Sequence, residues 1–322
     1  MRDKLSKTVL VLSFIIMFSF ALSFGLAEAQ SDYPNKSIHW IVPVGPGGGV
    51  DSLTRGTASF MPAYLPNKVG IVVENVSTPA WLKGIDQLYS SKPDGYTVGT
   101  LITTVSIVAQ LKRGAKWDVR ALTPLGNMNT TYYGLFAKID SPYDTVADIV
   151  KANEPVRWSI IPGEVEVLTK IAAKTIGVES SFVGGYKGSA DQILGMIRGD
   201  TDFVINNAQL ITSYSSEVKL LATFSLEVVY EGVQCATDLG YPELVKISEG
   251  TSLFYCCFGP PNMPEDRASI LTEALHSTVT DKGFLKFTKR AGLTAAWKTP
   301  QQIRRNIEAA WEFYNAHKEL LK

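Results

Sequence analysis

The chain has 322 residues, and its 31 Lys and Arg are balanced by 31 Asp and Glu. A balanced charge leaves no basic field to attract nucleic acid and no polybasic run to hold a lipid surface. The three histidines (His39, His276, His317) and three cysteines (Cys235, Cys256, Cys257) complete no zinc framework and no H-E-x-x-H, G-x-S-x-G or C-x-x-C signature, so no metal, cofactor or catalytic set is expected.

The N-terminus reads as an export signal. Arg2, Lys4 and Lys7 precede an apolar run from Val9 to Leu26, which ends at the small-x-small tripeptide Ala27-Glu28-Ala29. Cleavage after Ala29 is expected, and residues 1–29 are then lost; no cysteine follows that would carry a lipid anchor. The alternative, an uncleaved membrane helix, arises because the run approaches the ~20 residues that span a bilayer. Removing 29 of 322 residues leaves 293, and the basic and acidic counts fall to 28 and 29, a net charge of −1. Chains of ~250–300 residues usually split into domains.

From there short β-rich runs alternate with amphipathic stretches, the pattern of an α/β fold with a largely parallel sheet. Ser37–Pro43 is a strand, Asp51–Tyr64 a helix, Val69–Glu74 a strand, Pro79–Ser90 a helix and Tyr96–Leu101 a strand. Pro124–Ala137 reads as a connecting strand into a second unit. That unit has helices over Asp144–Ala152, Glu164–Ile176 and Ser189–Arg198, and strands over Val156–Ile161, Ser181–Val183, Asp202–Ile205 and Leu220–Thr223. Leu253–Phe258 is a return strand, followed by helices over Glu265–Thr280 and Thr299–Leu321. Two lobes joined by two crossings fit this order: residues 30–128 with 255–322 form one, and 129–254 the other.

Two strand-to-helix turns stand out. Gly45-Pro46-Gly47-Gly48-Gly49-Val50-Asp51 lets the backbone approach a ligand closely, and a helix N-terminus follows with free N–H donors. It is neither a phosphate-binding Walker loop nor a dinucleotide fingerprint, and Asp51 also suits a helix cap. Pro162-Gly163-Glu164 repeats the arrangement in the second unit. Ligands of open α/β sheets bind beyond the carboxyl ends of the strands, so the two turns are expected to face one cleft. Each histidine reads as a packing or surface residue. Cys235 pairing with Cys256 or Cys257, and three buried thiols, both remain open.

Several segments together resemble the tripartite tricarboxylate transporter solute receptors, the TctC or Bug family. They are Tyr33-Pro34-Asn35-Lys36-Ser37-Ile38, Ile41-Val42-Pro43 with the loop to Asp51, Val72-Val73-Glu74-Asn75, and Lys92-Pro93-Asp94-Gly95-Tyr96-Thr97. Further along come Tyr186-Lys187-Gly188-Ser189-Ala190, Gly199-Asp200-Thr201-Asp202-Phe203, Asp238–Leu244 and Phe258–Pro264, all in the family's order. The resemblance implies a periplasmic binding protein fold of type II-like, two-lobed clamshell form, each lobe a mainly parallel sheet flanked by helices. It implies a monomeric periplasmic receptor for a small organic ligand, a carboxylate, held by backbone N–H groups and bridging waters. It further implies membrane permease subunits as partners, driven by an ion gradient. A sensor feeding a signalling partner is the alternative role, and an enzyme on the same fold a third.

By position the resemblance places Val44, Gly45, Pro46, Gly47, Gly48, Gly49 and Asp51 in one jaw and Gly163 and Glu164 in the other. Thr103, Thr104, Tyr186, Lys187 and Asn206 line the cleft between them. Two departures from the family pattern fall at the ligand. Val76-Ser77-Thr78-Pro79-Ala80-Trp81 replaces Arg-Pro-Gly-Ala-Gly-Gly, which puts Ser77, Thr78 and Trp81 at the pocket. Glu164 replaces the second jaw's serine. Trp81 is read as a wall of the pocket in preference to packing beneath it. For Glu164 the commoner arrangement is a solvent-facing side chain that complements the helix dipole. If it faces the cleft instead, it repels a second carboxylate and favours a monocarboxylate, an aromatic body or an amine.

Overall fold

The computed structural model describes residues 32–78, 81–113, 115–251 and 253–321, so the export signal expected over 1–29 lies outside the described residues. Eleven strands fall into two sheets. The first has the order β2 (Ile71–Asn75), β1 (Ile38–Val42), β3 (Thr97–Ile102), β11 (Leu253–Gly259), β4 (Thr123–Thr131). The second has the order β10 (Gln234–Cys235), β9 (Val218–Phe224), β5 (Tyr133–Lys138), β8 (Phe203–Asn207), β6 (Val156–Ser159), β7 (Ser180–Val183).

The chain leaves the first sheet at Thr131 and enters the second at Tyr133, with Tyr132 alone between them. It returns at Leu253. Strand directions follow from these two passages. β1, β2 and β3 pair in parallel and end toward the second sheet. β11 arrives from the second sheet and therefore runs antiparallel to both β3 and β4. β5 likewise enters its sheet antiparallel to β8 and β9, while β6, β7 and β8 stay parallel. The antiparallel pairings in each sheet are therefore those of the crossing strands. The carboxyl ends of β1, β2, β3, β6, β7 and β8 consequently converge on the gap between the lobes, where α/β sheets place ligands. The expected strand Pro124–Ala137 is two strands in two sheets. β4 stays paired to Thr131↔Leu253, so residues 129–131 and 253–254 belong to the first sheet.

Burial explains the strand sequences. β1 lies between two neighbours and is apolar at every position but His39, whereas the edge strand β2 alternates, with Val72 and Glu74 outward. Eleven helices are described. Those that bear on the gap are α1 (Gly49–Phe60), α2 (Leu82–Tyr89), α3 (Thr103–Arg113), α5 (Glu164–Ile176), α6 (Ser189–Arg198), α8 (Pro242–Thr251) and α11 (Pro300–Ala316). α5 and α6 each stop at a left-handed glycine, Gly177 (φ 81°) and Gly199 (φ 90°). No helix among the described residues is long and apolar enough to cross a membrane.

The histidines pack or pair as expected. His39 Nε2 lies 2.7 Å from Glu74 on the neighbouring strand, His276 stacks on Trp297 and His317 on Phe313. All three cysteines are free and buried. Cys235 sits on β10 and the other two on β11 of the other sheet, so the disulfide alternative is not realised. Burial pushes the Cys256 and Cys257 thiols up. We expect no reaction of the native protein with a thiol reagent over minutes and release of three thiols per chain in denaturant, since thiolate and access are both required.

Candidate ligand-binding cleft

The first jaw is built from behind. Asp51, in the first turn of α1, is only 3% exposed, and its carboxylate accepts from Gly47 N–H (2.9 Å), Asn75 Nδ2 (2.8 Å) and Arg55 Nε (3.0 Å). Asn75, at the end of β2, also donates to Val44 O (3.0 Å) and accepts from Arg55 Nη2 (2.6 Å). This frame fixes the loop in a turn that needs glycine at Gly47 (φ 89°). Gly47 and Gly48 have open space where a side chain would stand, and the first N–H groups of α1 have no intrahelical acceptor. Asp51, expected in the ligand set, is therefore the loop's anchor. Burial alone would raise its pKa, but the Gly47, Asn75 and Arg55 donors outweigh it and hold the carboxyl below its ordinary value. Its stabilisation is present above the unfolded aspartate value near ~3.9 and is lost as pH falls through the depressed folded value. Asp51→Ala strands three donors, and a loss of about 1–3 kcal/mol in urea denaturation is expected.

Beside this loop, Ser77 Oγ lies 3.9 Å from where a Gly45 side chain would begin. Thr78 is spent on structure: its carbonyl accepts from Trp81 N–H (3.0 Å) and its hydroxyl from Lys83 N–H (3.0 Å). Trp81 adopts φ 62° ahead of α2 and is half-buried against the core. That conformation costs about 1–2 kcal/mol for a residue with a side chain, offset by the ring's burial.

Four expected cleft residues serve the framework. Thr103 begins a helix absent from the sequence reading, is fully buried and donates to Asn306 Oδ1 of α11 (3.0 Å). Tyr186 turns into its own lobe, where its ring covers Gly195 of α6, leaving no room for a side chain there. Lys187 is exposed and its N–H caps α6 through Asp191 (3.0 Å). Asn206, at the end of β8, is buried and frames the second lobe: its amide donates to Gln192 Oε1 (2.7 Å), and Gln192 donates to Ser159 O (3.0 Å).

The second jaw does face inward. Gly163 (φ 124°) leads into α5 with open space about it. Glu164 follows, half-buried, with its carboxylate 3.5 Å from the Tyr133 hydroxyl. Its charge is felt at the buried Tyr133, Tyr255 and Tyr314 hydroxyls. Glu164 is thus not the solvent-facing residue expected, because its carboxylate turns to Tyr133 on β5. Burial raises the Glu164 pKa, and its own N–H and the Tyr133 hydroxyl only partly oppose this. Burial also pushes Tyr255 up to about 12. Tyr314 Oη and Thr104 Oγ1 are buried without a well-formed hydrogen bond; Thr104 faces the Tyr133 hydroxyl.

Around Glu164 the crossing thus gathers three buried tyrosines and a buried threonine. Tyr133, Tyr255 and Tyr314 were not expected there. Each stands in an apolar stretch that reads as core, and only the fold brings them to Glu164. Among the described residues no group of His, Cys, Asp and Glu could hold a metal ion.

Comparison with known proteins agrees with this architecture. Residues 58–316 match the model of the tripartite tricarboxylate transporter family receptors. A UPF0065 protein of Bordetella pertussis is 22% identical over 302 residues, which cover 90% of this chain and 91% of that protein. A ligand-free TctC solute-binding protein from Polaromonas superposes with a TM-score of 0.76 at 21% identity, over 90% of this chain and 99% of that one. An R. palustris protein with adipate gives 0.70 at 18% identity, over 90% and 98% of the two chains. MatC from Rhodopseudomonas palustris with bound malate gives 0.66 at 15%, over 90% and 100%.

Proposed function

Because the chain belongs to the tripartite tricarboxylate transporter receptor family, we propose that it is a periplasmic receptor that captures a small organic ligand, a carboxylate, between its two lobes and delivers it to a membrane permease. The lobes are taken to divide at Tyr132 and Leu253, where the chain passes between sheets. The observation that carries this reading is the pair of glycine-led turns, Gly45–Gly49 and Gly163, each opening onto a helix N-terminus at the gap between the sheets. Such termini present unpaired N–H groups and the positive end of a dipole to an anion. The relatives with adipate and malate support the carboxylate class.

Glu164 narrows the choice. A carboxylate already stands at the second jaw, so a ligand with one carboxylate, placed at the Gly47–Gly49 end, fits better than a di- or tricarboxylate. Its other end should be an aromatic body, a hydroxyl or an amine, which can meet Glu164. Only a closed form lets one molecule touch both turns, so binding favours closure.

The test is mass spectrometry of the small molecule released on denaturing protein purified from its periplasm, followed by scattering with that molecule added back. A monocarboxylate that compacts the protein at one equivalent is the expected result. A tightly bound ligand without a carboxylate, or one that leaves the dimensions unchanged, refutes the reading.

A further inference from the structure

A cavity of about 590 Å³ has no jaw residue in its walls. It takes residues from both passages, Tyr132 between β4 and β5 and Phe254 on β11. In the second sheet β5 separates β8, β6 and β7, which carry the inner jaw, from β9 and β10, and this cavity is walled by Leu226 and Glu227 after β9. Its size falls within the ~300–1,000 Å³ of small-molecule sites.

The wall opposite is one face of α11. Gln302, Arg305, Asn306 and Ala309 recur at helical spacing, and Lys298 stands just before the helix. The face is rich in donors because its acceptors are already used. Gln302 Oε1 accepts from Thr299 N–H (2.8 Å) in the capping box, and Asn306 Oδ1 accepts from Thr103 (3.0 Å). Both amides therefore offer only N–H₂ to the cavity, and Asn306 does so while 8% exposed. Among the described residues neither Lys298 nor Arg305 is in an ion pair. The facing wall is apolar at Leu226, 45% exposed, and at Phe254, with Glu227 the single carboxylate. Its corner is held by Ser225 Oγ to Glu227 O (2.7 Å) and Thr237 Oγ1 to Leu226 O (3.2 Å).

We propose that this cavity is a second binding site, for an organic anion with an apolar body, that sets how far the lobes close. The carboxylate pairs with Lys298 and Arg305 and takes N–H donors from Gln302 and Asn306; the body rests on Leu226 and Phe254. α11 packs on the first sheet, whereas the 225–227 corner ends a strand of the second, so an occupant holds them at one separation. Lobe rotation about Tyr132 and Phe254 changes that separation, which couples the site to the front cleft reciprocally. Asn306, through Thr103, also abuts the start of α3, whose Thr104 adjoins the Tyr133 hydroxyl beside Glu164. Binding itself stands without the receptor reading; only the coupling rests on it.

The experiment titrates benzoate into wild type, the double variant Lys298→Gln with Arg305→Gln, and the charge-matched control Lys286→Gln with Lys289→Gln, whose side chains are exposed away from both sites, by calorimetry at low ionic strength. Thermal melts check that both variants fold. Wild type should show a saturable site that the double variant weakens at least tenfold and the control leaves within twofold. Equal weakening in the control, or no saturable site in wild type, overturns the proposal. A single site of unchanged affinity in the double variant places benzoate in the front cleft, which refutes the second site and leaves the receptor reading intact.

Discussion

Glu164→Ser is expected to strengthen binding of a dicarboxylate such as succinate by about 30- to 1,000-fold at neutral pH. The carboxylate stands half-buried at the inner jaw, against the Tyr133 hydroxyl, where a second ligand carboxylate would otherwise sit. At ~4 Å and an effective dielectric near ~20 two such charges repel by about 4 kcal/mol, and at twice that separation by about 2. With about 1.4 kcal/mol per decade, these bounds give the range. Serine removes the charge and adds a hydroxyl donor at a helix N-terminus. Calorimetry with succinate, citrate, benzoate and an alkylamine on wild type, Glu164→Ser and Glu164→Gln separates charge from shape. Tight citrate binding by wild type that neither substitution alters would sink the selectivity role.

The same residue gives a pH signature. Burial raises its pKa, so between the unfolded glutamate value near ~4.3 and the raised folded value the native state holds a proton that the unfolded chain has released. Stability therefore falls as pH rises through that window, the opposite sense to Asp51. Dicarboxylate affinity of wild type should rise toward that of Glu164→Gln as pH falls through the folded value. Comparing the two proteins at each pH cancels the ligand's own titration. Parallel profiles for wild type and Glu164→Gln would show that the Glu164 charge does not bear on the ligand.

Much of the architecture is legible in the sequence because local signals and tertiary demands agree. α5 and α6 end where Gly177 and Gly199 can take left-handed backbone, and β1 is apolar at all but His39 because Ile38, Trp40, Ile41 and Val42 are buried. α3 is hidden because Thr103-Thr104-Val105-Ser106-Ile107-Val108 is rich in β-branched residues, whose intrinsic preference opposes the helix they form. Packing of Ile107, Val108 and Ala109 into the core overrides that preference. The break at Tyr132 is equally silent, since Thr130-Thr131-Tyr132-Tyr133 is made throughout of strand-favouring residues and its division is set by which sheet each half joins. At the cleft, the glycine turns announce themselves, but side-chain direction does not. Tyr186 and Asn206 stand in motif positions yet turn inward to frame their lobe. Tyr255 and Tyr314 stand in core patterns, are buried, and come near Glu164 because register on β11 and the approach of α11 are properties of the assembled fold.

Trp40→Ala is expected to cost about 3–5 kcal/mol, and the loss should reach the first jaw as well as the core. Trp40 is fully buried at the centre of β1, and its indole Nε1 donates to Thr100 Oγ1 on β3 (2.8 Å). Thr100 Oγ1 lies 2.8 Å from Thr54 Oγ1 on α1, and Thr54 donates to Val50 O (2.8 Å). Since Thr54 spends its proton on Val50 and Thr100 accepts from the indole, the remaining bond must run from Thr100 to Thr54. The chain of donors thus has one direction, from Trp40 through both hydroxyls to the carbonyl of the residue that follows Gly47–Gly49. A buried network of this kind is worth having only when complete, because each stranded hydroxyl keeps its desolvation cost. Trp40→Phe tests the network apart from the volume: it retains an aromatic ring but removes the donor, and about 1–3 kcal/mol should be lost in urea denaturation. It should also weaken ligand binding although residue 40 touches no ligand, because α1 loses a constraint on where its first turn sits. Thr54→Val, which breaks the chain one step later, should reproduce the loss of affinity. A Trp40→Phe protein within ~0.5 kcal/mol of wild type, with unchanged affinity, would mean the glycine loop is held by Asp51 and Asn75 alone.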